Sequence, residues 1–222
     1  LTDEEPLRFL VNLLEAAPSV AVLATSRVRL NIQGEQVFPL HGLAVPKTIS
    51  EGNTEVAETE SIQLFTEAAQ RADPTFVLNQ ANLSSVVAIC RLVEGMPLAI
   101  ELAATWTAVL EPAEILTEIH RGLDFLASDA ATVPERQRSL PVVLHASWQL
   151  LSKAEREAIQ RMSVFRGGFS RAAAREVTGA DLRTLASLVD RSLLRLSTNG
   201  ERYEVLELLR QYGAERLAAD PE

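Results

Sequence analysis

Apolar positions recur every three or four residues near the start of the chain, which predicts an amphipathic helix. These positions are Leu7, Leu10, Val11 and Leu14. Residues 2–5, TDEE, have the spacing of a capping box with Thr2 as the N-cap, and Pro18 ends the pattern. Residues 20–25, VAVLAT, are apolar throughout and too short for a helix, so they predict a strand buried on both faces, as in a parallel sheet. A helix followed by a buried strand is one α/β unit, so residues 1–46 are predicted to end a sheet domain whose other strands lie elsewhere.

A polar stretch without periodicity, residues 47–57, predicts a linker between this unit and the next. Four helical stripes follow, and short connections join them. Their apolar positions are Ile62, Phe65, Ala69 and Ala72; Leu83, Val86, Val87, Cys90 and Val93; Leu98, Leu102, Trp106 and Val109; and, after Pro112, Ile115 and Ile119. Short connections favour antiparallel packing of neighbouring helices, so residues 57–122 are predicted to form a compact four-helix unit.

The pattern changes again after a second predicted connection, residues 123–137, and residues 134–222 are predicted to form a third unit. Helical patterns cover residues 140–148, 152–162, 170–177, 182–189 and 207–219. The stretches LLRLS and RYEVL alternate apolar and polar residues on either side of Thr198-Asn199-Gly200-Glu201, and Asn-Gly in that setting favours a hairpin. Three helices followed by a hairpin is the order of a winged helix, which we predict at about residues 152–206.

The stretch EGMPLAIELAA, residues 94–104, ends one helical pattern and begins another. Pro97 suits a first helical turn, because its missing N–H group would have no partner there. Small residues on the new helix, Ala99, Ala103 and Ala104, permit close packing. Two interpretations of the break stay open: a plain turn between helices, or a turn whose backbone another group approaches.

Composition and charge narrow the protein class. An apolar fraction of 47% is enough for a packed core. The single cysteine, Cys90, excludes an internal disulfide and favours a reducing compartment. Neither a signal peptide nor an apolar run long enough to span a membrane is visible, so a cytoplasmic location is expected. The net charge of −9 divides into −11 for residues 1–133 and +2 for residues 134–222, so the first part should repel nucleic acid.

Motifs for catalysis are missing from the sequence. It contains no phosphate-binding P-loop, dinucleotide fingerprint, paired-histidine zinc motif or nucleophile elbow. The three histidines, His41, His120 and His145, lie far apart and are expected to be structural. Cys90 lies on an apolar stripe, and no neighbouring residue marks a base that could activate its thiol. Glu94 and Glu101 are expected to be solvated. No catalysis is expected from this chain.

The end of the predicted strand carries the most suggestive polar residues, Thr25, Ser26 and Arg27. In open α/β sheets, ligands bind at the carboxyl ends of strands, and an arginine held there can pair with a phosphate in bidentate fashion. The alternative is that Arg27 simply ends the strand at the protein surface.

Seven landmarks in order resemble the NB-ARC-type (STAND-class) signal-transduction ATPases, in particular large bacterial antibiotic-regulatory and LuxR-type ATP-binding transcriptional regulators. They are VAVLATSR, EQVFPL, ESIQLF, GMPLAIELAA, SVFRGGFS, LVDRSLLRL and YEVLELLRQYGAERL. The resemblance implies a mainly α fold with a small α/β remnant and a β-hairpin: the end of a P-loop-type sheet domain, a four-helix lid and a winged helix.

The resemblance also implies nucleotide contacts. Arg27 would sense the terminal phosphate of ATP, with Thr25 and Ser26 beside it, and the Gly95-Met96-Pro97 turn would lie against adenine and ribose. The phosphate loop and the acidic strand that holds Mg²⁺ are implied to lie before Leu1. The chain is therefore expected to be a fragment that binds ATP or ADP weakly and hydrolyses neither, whereas the parent protein is an ATPase.

A closing motif of the family, Met-His-Asp, aligns with Val205-Leu206-Glu207. Because Leu206 replaces the histidine, direct contact of this motif with a phosphate is not implied.

Three functions remain as alternatives. The first is a regulatory nucleotide-switch module, which couples the ADP or ATP state to assembly and output, with the missing P-loop subdomain, output domains and self-association as partners. The second is DNA binding by the winged helix, and the third is a protein-interaction platform without nucleotide. The predicted recognition helix, Asp181 to Arg191, carries Arg183 and Arg191 against Asp181 and Asp190. Its charges cancel, so we expect this helix to serve packing rather than DNA contact.

Overall fold

The chain is described by a computed structural model over residues 4–46, 54–127, 139–197 and 200–219. It is mainly helical with a small antiparallel sheet, as predicted. The helices are α1 (Glu4–Ala16), α2 (Thr54–Ala57), α3 (Glu60–Ala72), α4 (Gln80–Leu92), α5 (Pro97–Thr105), α6 (Pro112–Arg121), α7 (Leu140–Trp148), α8 (Lys153–Met162), α9 (Arg171–Thr178), α10 (Leu182–Asp190) and α11 (Glu207–Ala219), and the strands are β1 (Phe169–Ser170), β2 (Leu194–Leu196) and β3 (Arg202–Val205).

Of the two elements predicted in residues 1–46, the helix forms and the strand does not. Helix α1 forms, although Thr2 of its predicted cap lies outside the described residues. The prediction of a buried strand at residues 20–25 is wrong: this segment forms no strand, and the Leu23 side chain is 98% exposed. A strand needs a neighbour to bind its backbone N–H and C=O groups, and the described strands all belong to a sheet elsewhere in the chain. None of the described side chains from residue 6 to residue 45 is buried.

The four helices predicted in residues 57–122 form as α3 to α6, and the linker prediction needs correction. Residues 54–57 of that linker form α2, and Val56 is buried; residues 47–53 lie outside the described part. Helix α3 packs against α5, and α4 packs against α6. The Trp106 ring stacks on Phe125 with centroids 4.4 Å apart, and its indole N–H donates to the Phe125 carbonyl at 2.9 Å. We call residues 54–127 the helical unit.

Helices α7 to α11 and the sheet form what we call the C-terminal unit, residues 139–219. The sheet is antiparallel with strand order β1-β3-β2. Strand β1, which follows Gly167-Gly168, is only two residues long and is not predicted by the sequence pattern. Cross-strand pairing puts Phe169, Tyr203 and Leu196 on one face, and the polar face carries Ser170, Arg202, Arg195 and Glu204. Trp148 meets the edge of Tyr212 on α11, with centroids 5.5 Å apart.

Two predicted features of this unit fall outside the described residues. These are Thr198 and Asn199 of the hairpin turn, and the chain from 128 to 138, where the unit was predicted to start. Among the helices that the structure describes, none combines the length and apolar character that a membrane crossing requires.

A buried carboxylate joins two helices of the C-terminal unit. Glu155 on α8 accepts hydrogen bonds from the Ser187 hydroxyl at 2.6 Å and from the Ser152 backbone N–H at 2.7 Å. Arg191 pairs with the same carboxylate at 3.2 Å. Burial raises the pKa of Glu155, but the hydrogen bonds from Ser187 and Ser152 and the charge of Arg191 outweigh it, so the pKa lies below its ordinary value. Arg191 is therefore a structural residue.

Candidate functional site at the junction of the two units

The turn between α4 and α5 has an unusual backbone. Glu94 and Gly95 both have positive φ angles, 52° and 69°, in the left-handed region that disfavours residues with a side chain. The Gly95 N–H donates to the Cys90 carbonyl at 2.9 Å, and the Leu43 N–H donates to the Gly95 carbonyl at 2.8 Å. A Cβ atom on Gly95 would overlap the backbone of Leu43, and one on Gly42 would overlap the carbonyl of Glu94.

This geometry bears on the two interpretations of the EGMPLAIELAA break. The group that approaches the turn is the chain's own backbone at residues 42–43. Glycine is required at position 95 on two grounds, since the φ angle is positive and there is no room for a side chain. Adenine contact at the Gly95-Met96-Pro97 turn stays a prediction, and this face of Gly95 is already covered by Leu43.

Glu94 was expected to be solvated, and that expectation is wrong. Its side chain is 25% exposed and reaches into the C-terminal unit. One carboxylate oxygen accepts the backbone N–H of Glu207, the first residue of α11, at 2.7 Å. The other pairs with Arg195 on β2 at 2.5 Å. A carboxylate at a helix N-terminus binds an otherwise unpaired N–H group and interacts favourably with the helix dipole.

A second charged pair, Glu207 and Arg210, lies next to this contact. The Glu207 carboxylate accepts hydrogen bonds from Arg210 at Nε, 2.7 Å, and at Nη2, 2.6 Å. Arg210 is only 6% exposed, and its Nη1 donates to the Ser163 carbonyl at 3.1 Å. The hydrogen bonds from Arg210 outweigh burial and hold the pKa of Glu207 below its ordinary value. The start of α11 is thus fixed to both the sheet and α8.

The structure brings some predicted site residues together and separates others. Glu94 joins the predicted Gly95-Met96-Pro97 turn to the predicted closing motif, Val205-Leu206-Glu207. Arg27 lies elsewhere, where its Nη1 donates to the Ser147 hydroxyl on α7 at 3.0 Å. Thr25 and Ser26 are exposed beside it. Within the described ranges, no hydrogen bond or ion pair joins Arg27 to the turn at residues 95–97.

Sequence reasoning missed the residues that hold this junction. The function of Glu94 depends on a partner 113 positions away, which no local pattern reveals. The position of Arg210 in the sequence does indicate burial. It lies four residues after Leu206 and three before Gly213, on the side of α11 that also carries buried residues. A charge on the buried face of a helix requires a buried partner.

The α9–α10 region and the hairpin enclose a shallow groove of mixed charge. Arg171 and Arg175, one helical turn apart on α9, lie on one wall. Glu176, Asp181 and Glu201 also line it. Asp181 caps α10 by accepting the Thr184 N–H at 2.8 Å, which lowers the pKa of its carboxyl group. The groove therefore lacks the excess positive charge typical of a DNA-binding surface.

Metal binding finds no support in the described residues, where no three His, Cys, Asp or Glu side chains cluster in a way that could hold an ion. His145 contacts the Tyr212 hydroxyl at 3.0 Å, and His120 contacts the Leu116 carbonyl at 2.8 Å. Cys90 is fully buried in the helical unit, 3.5 Å from the Ser61 carbonyl.

Burial raises the pKa of the Cys90 thiol to about 12, which leads to a prediction about its reactivity. Because the thiolate is the reactive form, disulfide reagents at pH 8 should modify the folded chain on the order of 10³-fold more slowly than the urea-unfolded chain. Absorbance of the released thiol measures both rates. Equal rates would show that Cys90 is accessible in the native state.

Known proteins with similar sequences include some that are named as transcriptional regulators. No family model matches the chain. A Mycobacterium tuberculosis protein provisionally named HTH-type transcriptional regulator Rv0890c is 32% identical over 216 residues, which cover 93% of this chain and 23% of that protein. Its Mycobacterium bovis counterpart, Mb0914c, gives the same values. The uncharacterized M. tuberculosis protein Rv0894 is 31% identical over 221 residues, 95% of this chain and 53% of its own length. The chain thus spans from about a quarter to about half of these relatives.

Proposed function

We propose that this chain is a coupling part of an HTH-type transcriptional regulator, in which residues 152–206 form a winged helix that docks on the helical unit. The names of two relatives support the regulator class. The order of elements, α8-β1-α9-α10-β2-β3 with sheet order β1-β3-β2, supports the winged helix. The observation that carries the proposal is the contact of Glu94 with the start of α11 and with Arg195.

The chemistry of this contact suits a regulated junction. A partly exposed ion pair contributes little net stability, because the gain from attraction is offset by the loss of solvation and of side-chain freedom. Its hydrogen bonds nevertheless require one relative orientation of the two units. A contact that fixes orientation at low net energy can be made or broken by a modest difference in binding energy between two states.

Nucleotide control remains part of the proposal and rests on the resemblance to NB-ARC-type ATPases. In the whole regulator, ATP or ADP with Mg²⁺ would bind between a P-loop subdomain and the residues Arg27, Gly95, Met96 and Pro97. The exposed apolar side chains of Leu23, Phe38 and Leu40 support docking of this segment into a sheet supplied from elsewhere. Adenine would have to approach a side of the turn that Leu43 leaves open.

DNA contact by the winged helix is the second candidate. Residues 152–206 hold ten Lys and Arg against seven Asp and Glu, and Arg171, Arg175 and Arg183 are exposed. Several other arginines are engaged internally, such as Arg191 with Glu155 and Arg195 with Glu94. Because carboxylates also line the groove beside α9, we favour docking over DNA contact.

Fluorescence anisotropy with a labelled DNA duplex separates the two candidates. At about 150 mM salt, we expect the 222-residue chain to bind no more tightly than about 10⁻⁴ M, the weak end of nonspecific association. The triple variant R171E/R175E/R183E should behave in the same way. Low-micromolar binding that weakens with salt and is lost in the triple variant would establish the DNA-binding candidate. Arg191 is left unchanged because it holds Glu155.

A further inference from the structure

We infer that the Glu94–Gly95 turn is a relay, which transmits a displacement of residues 42–43 to the start of α11 and back. This inference rests on the proposed coupling function and names the residues that would carry it. The two halves of the relay are consecutive residues: the Gly95 carbonyl holds Leu43, and the Glu94 carboxylate holds Glu207.

The first half fixes the path of the chain into the helical unit. Gly42 and Gly95 pack backbone against backbone, with no space for a side chain on either. After Leu43 the chain is fixed further, since the Ser61 N–H donates to the Ala44 carbonyl at 3.3 Å and Arg91 donates to the Pro46 carbonyl at 2.6 Å. The side chains from residue 36 to residue 41 are all exposed. A displacement of residues 36–41 therefore acts first at residues 42–43.

The second half connects the same turn to the C-terminal unit. The carboxylate of Glu94 spans the first N–H group of α11 and the guanidinium of Arg195. The contact of this carboxylate with α11 depends on the backbone conformation of Glu94. The positive φ angle of Glu94 is unfavourable for a residue with a side chain, and it persists because surrounding contacts hold it.

The coupling follows from the shared backbone. If Leu43 moves away, the Gly95 carbonyl loses its partner, and the backbone of Glu94, whose φ of 52° is unfavourable for a residue with a side chain, is free to relax toward a negative φ angle. Such a rotation at Glu94 redirects its side chain away from α11. Conversely, loss of the Glu94 carboxylate removes one of the contacts that hold the turn in the conformation that Leu43 recognises. The turn is thus an element with two conformations, and its contacts with residues 42–43 and with the start of α11 both favour the same one. Coupling between two sites requires an element of this kind.

Hydrogen exchange of the full chain, followed by NMR, tests the relay from each side. G42A places a methyl group against the Glu94 carbonyl without altering any contact of the C-terminal unit. It should speed exchange of the Glu207 amide about fivefold or more, the lower end of typical coupling. E94A should in turn speed exchange of the Leu43 amide by a similar factor. E94Q, which keeps the shape of the side chain, replaces E94A if the alanine variant does not fold.

Matched variants control for nonspecific loosening. G122A adds a Cβ with only ordinary contacts, and E101A removes an exposed glutamate of the same unit that pairs with Arg71. Both controls should leave the Glu207 and Leu43 amides unchanged. The relay is overturned if each variant affects only its own side of the turn, or if the core amide of Ile159 accelerates equally. DNA binding by the chain would overturn the proposed function while leaving this exchange pattern intact, so the two failures are distinguishable.

Discussion

Replacement of Arg210 by alanine should lower the free energy of unfolding by about 2–3 kcal/mol, because it removes the hydrogen bonds that a buried charged group makes. The guanidinium is almost fully buried and makes three hydrogen bonds, two to Glu207 and one to the Ser163 carbonyl. In the variant, the Ser163 carbonyl loses the Arg210 donor, and the Glu207 carboxylate keeps the hydrogen bond from the Gln211 amide at 3.1 Å. Urea unfolding followed by circular dichroism measures the change.

Arg216 on the same helix provides the matched control. It is exposed, donates to the Tyr212 hydroxyl at 2.8 Å and lies over the Tyr212 ring at 4.9 Å. Loss of an exposed cation–π contact of this kind costs about 1 kcal/mol. If R210A and R216A destabilised the chain equally, the buried network around Arg210 would not hold α11 as described.

Replacement of Glu155 by alanine should cost about 2–3 kcal/mol, the range for hydrogen bonds to a charged group whose partners remain buried. The variant leaves Arg191 and the Ser187 hydroxyl without their acceptor at the junction of α8 and α10. E157A is the control, because Glu157 forms an ion pair with exposed Lys153 at 3.7 Å. Its removal should change the free energy of unfolding by less than about 0.5 kcal/mol.

Acid should abolish the difference between wild type and E155A. The folded-state pKa of Glu155 lies below the ordinary pKa of a glutamate, so the charged carboxylate stabilises the fold at any pH above that ordinary value. This contribution is lost as the pH falls through the folded-state pKa, when the folded chain also takes up the proton. At a pH below the folded-state pKa of Glu155, the two unfolding free energies should therefore converge. A gap that stayed constant down to that pH would show that packing, and not charge, accounts for the effect of E155A.

Local signals carried most of the fold prediction. Helices with apolar stripes and recognisable caps, such as α8 after Ser152 and α10 after Asp181, were read correctly because their determinants lie within a few residues of each other. The strand predicted at residues 20–25 failed because pairing partners, which sequence pattern does not supply, decide whether an apolar segment becomes a strand. Strand β1 was missed because two residues carry no detectable alternation.

The candidate site was predictable only in part. Close approach was one of two interpretations of the Gly95 turn that the sequence left open, and the approaching group, Leu43, lies 52 positions earlier. Glu94 was assigned to solvent because a lone glutamate beside a glycine has no pattern of its own. The roles given to Arg27 and to Gly95-Met96-Pro97 concern a ligand, and they stay predictions.

The two tryptophans of the chain are divided evenly between the two units, Trp106 against Phe125 in one and Trp148 against Tyr212 in the other. Each indole therefore reports fluorescence from a single unit. With W106F or W148F as background, emission spectra can follow each unit separately during unfolding, without an external label. The molecule thus contains an optical probe on each side of its own junction.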